Sequence, residues 1–176
     1  MAEIVYKAKT TDTMELTEAI MTYKNALDIP PNAIAIDKIG IGRGVFDMAY
    51  RTIQGLQGIN VGEKAMDESR FNNLKAELAW KVREWVLSGG KLKRDEDWYQ
   101  IAQIKYKTKL DGTNRGRLEI ISKDELLRRG IDSPDIYDAL ALTFATPDIV
   151  KMSEEDEMRL KEETSPMDKH GMFLEI

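Results

Sequence analysis

Apolar and polar positions change their period several times along this chain, and each change predicts an element. At the N-terminus "EIVYKAK" alternates, with Ile4 and Tyr6 facing away from Val5 and Lys7, as in a strand. Asp12 followed three residues later by Glu15 has the form of a capping box and predicts a helix to about Leu27, with Met14, Ile20 and Met21 among its apolar positions. "DIPPN" ends that helix, because proline cannot continue it and restrains the residue before it. "AIAI" (33–36) is a short apolar run, read as a buried strand closed by Asp37. After Gly40, Gly42 and Gly44, the spacing of Val45, Phe46, Ala49 and Ile53 predicts a helix, and "GINV" a short strand. Phe71, Leu74, Leu78, Val82 and Trp85 recur at steps of three and four, an apolar helical stripe that Ser88-Gly89-Gly90 closes. "DEDWYQIAQI" opens as a helix, and "KYKTKLDGTNRGRLEII" reads as a β-hairpin turning at Asp111-Gly112 and Asn114. "SKDELLRRG" is a short helix closed by Gly130, and "SPDIYDALALTFA" a helix with Ser133 as cap and Pro134 at its first position. From Met152 the chain is charged and weakly periodic: a loose arm, or one that docks through "MFLEI". Alternating strands and helices predict an α/β fold.

Composition narrows this picture. The 176 residues fit one domain, read as 1–150, followed by a charged tail, 151–176. The tail carries 4 basic and 8 acidic residues, which leaves 22 basic and 23 acidic on the body. The net charge of −5 does not advertise a nucleic-acid binder, but a near-neutral body has room for a local basic patch. There is no cysteine, which excludes disulfides and thiolate metal sites and fits a reducing compartment. No apolar leader and no run near the ~18 residues of a membrane helix occur, so the expectation is a soluble, intracellular protein.

The chemistry lies in three places. Gly40, Gly42 and Gly44 form G-x-G-x-G, one residue short of the dinucleotide fingerprint, and Lys38 and Ile39 separate them from the strand. A P-loop is excluded for want of its G-x-x-x-x-G-K-[ST] sequence. Asp37, at a strand end, reads either as a turn residue bonding loop amides or as a metal ligand. Asp135 and Asp138, three apart at a helix start, put both carboxylates on one face, where the helix dipole also favours acids. A hard divalent cation takes such oxygen ligands, and two ions about 4 Å apart serve phosphodiester cleavage. Lys105, Lys107 and Lys109 share one face of the hairpin and Arg115 and Arg117 answer across its turn, either to track phosphates or as a solubilising face. His170, the only histidine, lies in the tail, so Ser-His-Asp and Cys-His chemistry lack their parts.

Three segments in order carry a family resemblance: "IAIDKIGIGRGVFDMAY", "RFNNLKAELAWKVREWVLSG" and "RLEIISKDELLRRGIDSPDIYDALALTFA". They resemble the C-terminal nuclease domain of tailed-phage large terminases, over about residues 1–147. The resemblance implies an RNase H-like fold, a mixed sheet flanked by helices, and two-metal cleavage of concatemeric DNA with Mg²⁺ or Mn²⁺ during genome packaging. It makes Asp37 the second acid of the site and Asp135 the third, with Asp138 one turn on as a further ligand or helper. Asp47 and Glu77 match family positions too, but as solvated helix residues they suit direct catalysis poorly. Arg43, beside Asp37, and Lys123 join Lys105, Lys107, Lys109, Arg115 and Arg117 as candidate DNA contacts. The implied partners are double-stranded DNA, the terminase small subunit and the portal protein, in the cytoplasm of the bacterial host.

The sequence departs from that family in lacking the ATPase motor and the first nuclease strand with its acid. The fold is therefore expected to be N-terminally truncated, with an open sheet edge that invites a homodimer. The leading reading is a metal-dependent DNA endonuclease domain. The second is a catalytically incomplete remnant that binds DNA or packaging partners. A resolvase-like enzyme and a nucleotide-binding α/β protein follow.

Overall fold

A computed structural model describes residues 1–110 and 112–146. Asp111 of the expected turn, His170, "MFLEI" and the whole of the expected tail lie outside the described residues.

Asp12 caps α1 (Thr13–Ala26) by accepting from the Met14 and Glu15 amides. Only half of the expected capping box forms: the Glu15 carboxylate accepts from Thr10 and Tyr6 instead, at 2.8 and 3.1 Å. A 3-10 turn, Pro31–Ala33, leads into β1 (Ala35–Asp37). Next come α2 (Ile41–Thr52) and β2 (Gln57–Ile59), which pairs with β1 in parallel, Asp37 opposite Ile59. This β1–α2–β2 unit encloses a local core of Ile36, Val45, Ala49, Ile53 and Leu56, covered by Leu16, Ile20 and Met21 of α1. Met14, expected among the apolar positions of α1, faces outward.

The apolar stripe forms α3 (Leu74–Leu87), with Asn73 as cap. Phe71 belongs to its periodicity but not to the helix; it is buried just before it, bridged to Leu118. A 3-10 turn, Glu96–Tyr99, runs into the short α4 (Gln100–Gln103). The hairpin forms as expected, β3 (Tyr106–Thr108) antiparallel to β4 (Leu118–Ile120). Ser122 caps α5 (Lys123–Arg128), and α6 (Asp135–Leu142) follows. A second core joins Leu78, Ala79 and Val82 of α3 to Tyr137, Leu140 and Ala141 of α6.

The fold is thus mixed α/β. In place of one mixed sheet, the described residues hold two separate two-stranded sheets, β1–β2 and β3–β4. The expected strand at "EIVYKAK" is absent. Only Ala2 pairs, in a parallel bridge to Leu92, and beyond it side chains hold the segment: Glu3 to Lys93, and Lys7 to Asp95 and Asp97 at 3.3 and 2.7 Å. The period-2 pattern found ionic partners on residues 93–97 and no neighbouring strand. Among the described residues no helix is long and apolar enough to cross a membrane.

Candidate functional site

β1 delivers Asp37 to the point where the chain turns into α2. Gly40 makes that turn with φ at 61°, a conformation glycine adopts without steric cost. Gly42 lets the first turn of α2 lie against the strand end, because a Cβ there would fall on the Asp37 carbonyl oxygen. Gly44 gives α2 its close approach to Thr13 of α1. The three glycines therefore serve a turn and two close contacts. The Asp37 carboxylate takes part too: its Oδ1 accepts from the Ile39 amide at 2.9 Å, the turn-residue role that the sequence left open.

Asp37 lines a cleft of about 340 Å³ together with Ile39, Asn73, Lys75, Lys123 and Asp138. The far wall comes from α6, and its seating explains why Asp138 arrives there. Tyr137, Leu140 and Ala141 bury against α3, which leaves Asp138 at the edge of the packed face with its side chain 25% exposed. The first turn of α6 is capped from outside. Gln100 Oε1 accepts from the Ile136 and Tyr137 amides at 3.0 and 3.2 Å. This corrects the expected Ser133 cap: Pro134 occupies the cap position and the Ser133 hydroxyl donates to Asp135 at 2.6 Å.

Two lysines engage Asp138. Lys75 Nζ lies 3.3 and 3.4 Å from its two carboxylate oxygens, and Lys123 Nζ 3.3 Å from Oδ2. Lys123 also reaches Asp135 at 3.8 Å. Asp135 itself is outside the cleft. Its side chain is 78% exposed and borders a different, mainly apolar cavity of about 580 Å³ beside Tyr6, Tyr23 and Ile36. The structure thus brings Asp37 and Asp138 together and leaves Asp135 at the rim, linked to Asp138 through Lys123.

Among the described residues no group of three or more acidic, histidine or cysteine side chains is arranged to hold a metal ion. The cleft lining offers two carboxylates, Asp37 and Asp138, the second already paired with both lysines. Magnesium is commonly held by one or two carboxylates together with waters, and a two-ion site needs more than these two. Tyr137 also lines the cleft; burial, with smaller contributions from Tyr106 and Asp138, pushes its phenol well above the ordinary value, so it stays neutral across the physiological range.

The other candidate residues disperse. Arg43 lies with Lys38, Asp47 and Glu63 around a separate polar depression of about 280 Å³. On the hairpin, Tyr106 packs on Trp80 of α3, ring centroids 5.2 Å apart, which turns Lys107 to the opposite strand face, while Lys105 and Lys109 lie just outside β3. Lys107 is engaged there by its cross-strand partner Glu119 at 3.5 Å and by Glu125 at 3.6 Å. Lys105 and Arg115 are exposed, while Lys109 and Arg117 are half-buried. Glu77 is not a solvated helix residue. It is 5% exposed, and its Oε2 accepts from the Met66 amide at 2.6 Å and the Asp67 amide at 3.3 Å, with Lys81 paired at 3.4 Å.

Two residues at the site, Lys75 and Gln100, were not singled out from sequence. Lys75 had a faint signal, as the basic residue of "NLKAE"; Gln100 had none, because its role depends on where α4 packs. No protein-family model matches the chain, and no curated protein matches it.

Proposed function

We propose that this chain is a metal-dependent DNA endonuclease domain of the kind found in tailed-phage large terminases, with an RNase H-like ancestry, acting on concatemeric DNA in the bacterial host cytoplasm. The observation that supports it best is the meeting of Asp37 and Asp138, remote in sequence, in a cleft that also holds two lysines. Asp37 and Asp138 would hold Mg²⁺ or Mn²⁺. When bound, such an ion polarises a phosphodiester and acidifies a water for attack. The protein's own groups do the rest. The Ile39 amide fixes one oxygen of Asp37, and the other would serve as the ligand atom. Lys75 and Lys123 supply ammonium groups for a phosphate. Lys105 and Arg115 are exposed, and under this reading they would meet the backbone of a duplex farther out. Further partners under this reading are the terminase small subunit, the portal protein and a second copy of the chain.

A second reading keeps the DNA and drops the cutting: a remnant that binds DNA or packaging partners. The position of Asp135 outside the cleft favours it, since two carboxylates do not make a two-ion site.

Nicking of supercoiled plasmid with Mn²⁺, Mg²⁺ or EDTA distinguishes the two. The endonuclease reading expects metal-dependent nicking that Asp37→Ala and Asp138→Ala each reduce by more than the roughly 10–100-fold typical of losing an outer-sphere partner. Asp135→Ala should reduce it less. No nicking by the parent chain, with DNA binding retained, would establish the second reading in its place.

A further inference from the structure

Of the two carboxylates that line the cleft, Asp138 is already held by two ammonium groups. Lys75 comes from the first turn of α3 and meets both oxygens of Asp138; Lys123 comes from the start of α5 and meets Oδ2. Both lysines line the same cleft as Asp37. In that arrangement two carboxylates stand against two ammonium groups, and the cleft is electrically balanced without any ion.

We infer that Lys75 and Lys123 form a clamp on Asp138 that a divalent cation has to displace, so that they set the affinity of the site. The inference rests on the endonuclease reading above, in that Asp37 and Asp138 are taken as cation ligands. Its physical basis is competition. A cation approaching Asp138 meets two like charges within about 4 Å of the oxygens it needs, and the attraction it gains from the carboxylate is offset by their repulsion. Asp138 is only a quarter exposed, so solvent screens these charges less than on an open surface. Lys75, at 26% exposure, is the more confined of the two, and Lys123, at 51%, the freer. Displacing Lys123 is the easier step, and it has a second carboxylate to move to, Asp135 at 3.8 Å. Asp135 thereby gains a role at the rim as the alternative seat of a clamp lysine.

The experiment is calorimetric titration of the full chain with Mn²⁺, without DNA, so that affinity is read apart from activity. Lys75→Met and Lys123→Met keep the apolar stems and remove the charges. Each should raise Mn²⁺ affinity about tenfold, as loss of one nearby like charge implies. Lys75→Arg keeps the charge and should stay within about twofold of the parent. Lys81→Met removes a lysine paired with Glu77 outside the cleft lining and should leave affinity unchanged. Asp138→Asn should abolish binding. Lys123 is exposed, so its variant carries the test even if Lys75→Met fails to fold. Binding by the parent with no gain in either methionine variant overturns the clamp and leaves the cation reading standing. No binding by the parent or by any variant overturns the cation reading and the clamp with it.

Discussion

Glu77 shows how far a single residue can depart from its local pattern. Its place in "LKAELAWK" suggests a polar helix position, yet its carboxylate turns inward to terminate the amides of Met66 and Asp67. Removing it takes the acceptor from the Met66 and Asp67 amides, which are only part-buried, and from Lys81. Glu77→Ala is expected to cost about 1–2 kcal/mol, whereas Glu77→Gln keeps a carbonyl acceptor and should cost less. Urea unfolding of the two variants checks this, and equal losses would show that the two amides do not depend on the acceptor. The residue scale also shows what a spacing rule does and does not fix. Asp135 and Asp138 are three apart, but a step of three residues on a helix still rotates a side chain by about 60°. With Tyr137 and Leu140 fixed against α3, that rotation is enough to put Asp138 in the cleft and Asp135 at its rim.

Among the elements, the ends of helices were largely legible and their starts less so. Three helices end alike: a residue with positive φ follows the cap, and the next amide returns to the carbonyl five residues back. Gly90 bonds Trp85, Ile131 bonds Leu126 and Ile29 bonds Lys24. Gly89 and Gly130 announce two of these ends. The third uses Asp28 at φ 50°, which no glycine marks. The start of α6 was misplaced because its acceptor comes from α4, a tertiary contact that a local pattern cannot contain. That contact yields a prediction for the element. Gln100→Ala strips the cap from the Ile136 and Tyr137 amides and should lower stability by about 1 kcal/mol, while Gln100→Glu, which retains an acceptor, should lose less. Hydrogen exchange at Ile136 and Tyr137 is the direct readout: rates unchanged in Gln100→Ala would dismiss the cap. Likewise the N-terminal strand failed because its alternation has no strand beside it to satisfy, whereas the β3–β4 hairpin, whose partner lies within the same segment, formed as read.

At the scale of the whole molecule, the described residues have two main cores of different kinds. One is built within residues 16–56, from α1, β1, α2 and Leu56. The other joins α3 to α6 across some fifty intervening residues and draws in Ala2 and Leu92 besides. Asp37 ends β1, the strand that gives Ile36 to the first core, and Asp138 lies on α6, which helps build the second; both line the cleft. This has a consequence in time. Contacts close in sequence cost little loop-closure entropy and form readily, while the α3–α6 contact must close a long loop before its burial repays that cost. Refolding should therefore protect the amides of Val45 to Ala49 before those of Leu140 and Ala141, as pulsed hydrogen exchange would record; simultaneous protection would count against this order. On that order the two carboxylates stay apart while the chain folds, and the candidate site is among the last features of the molecule to come into being.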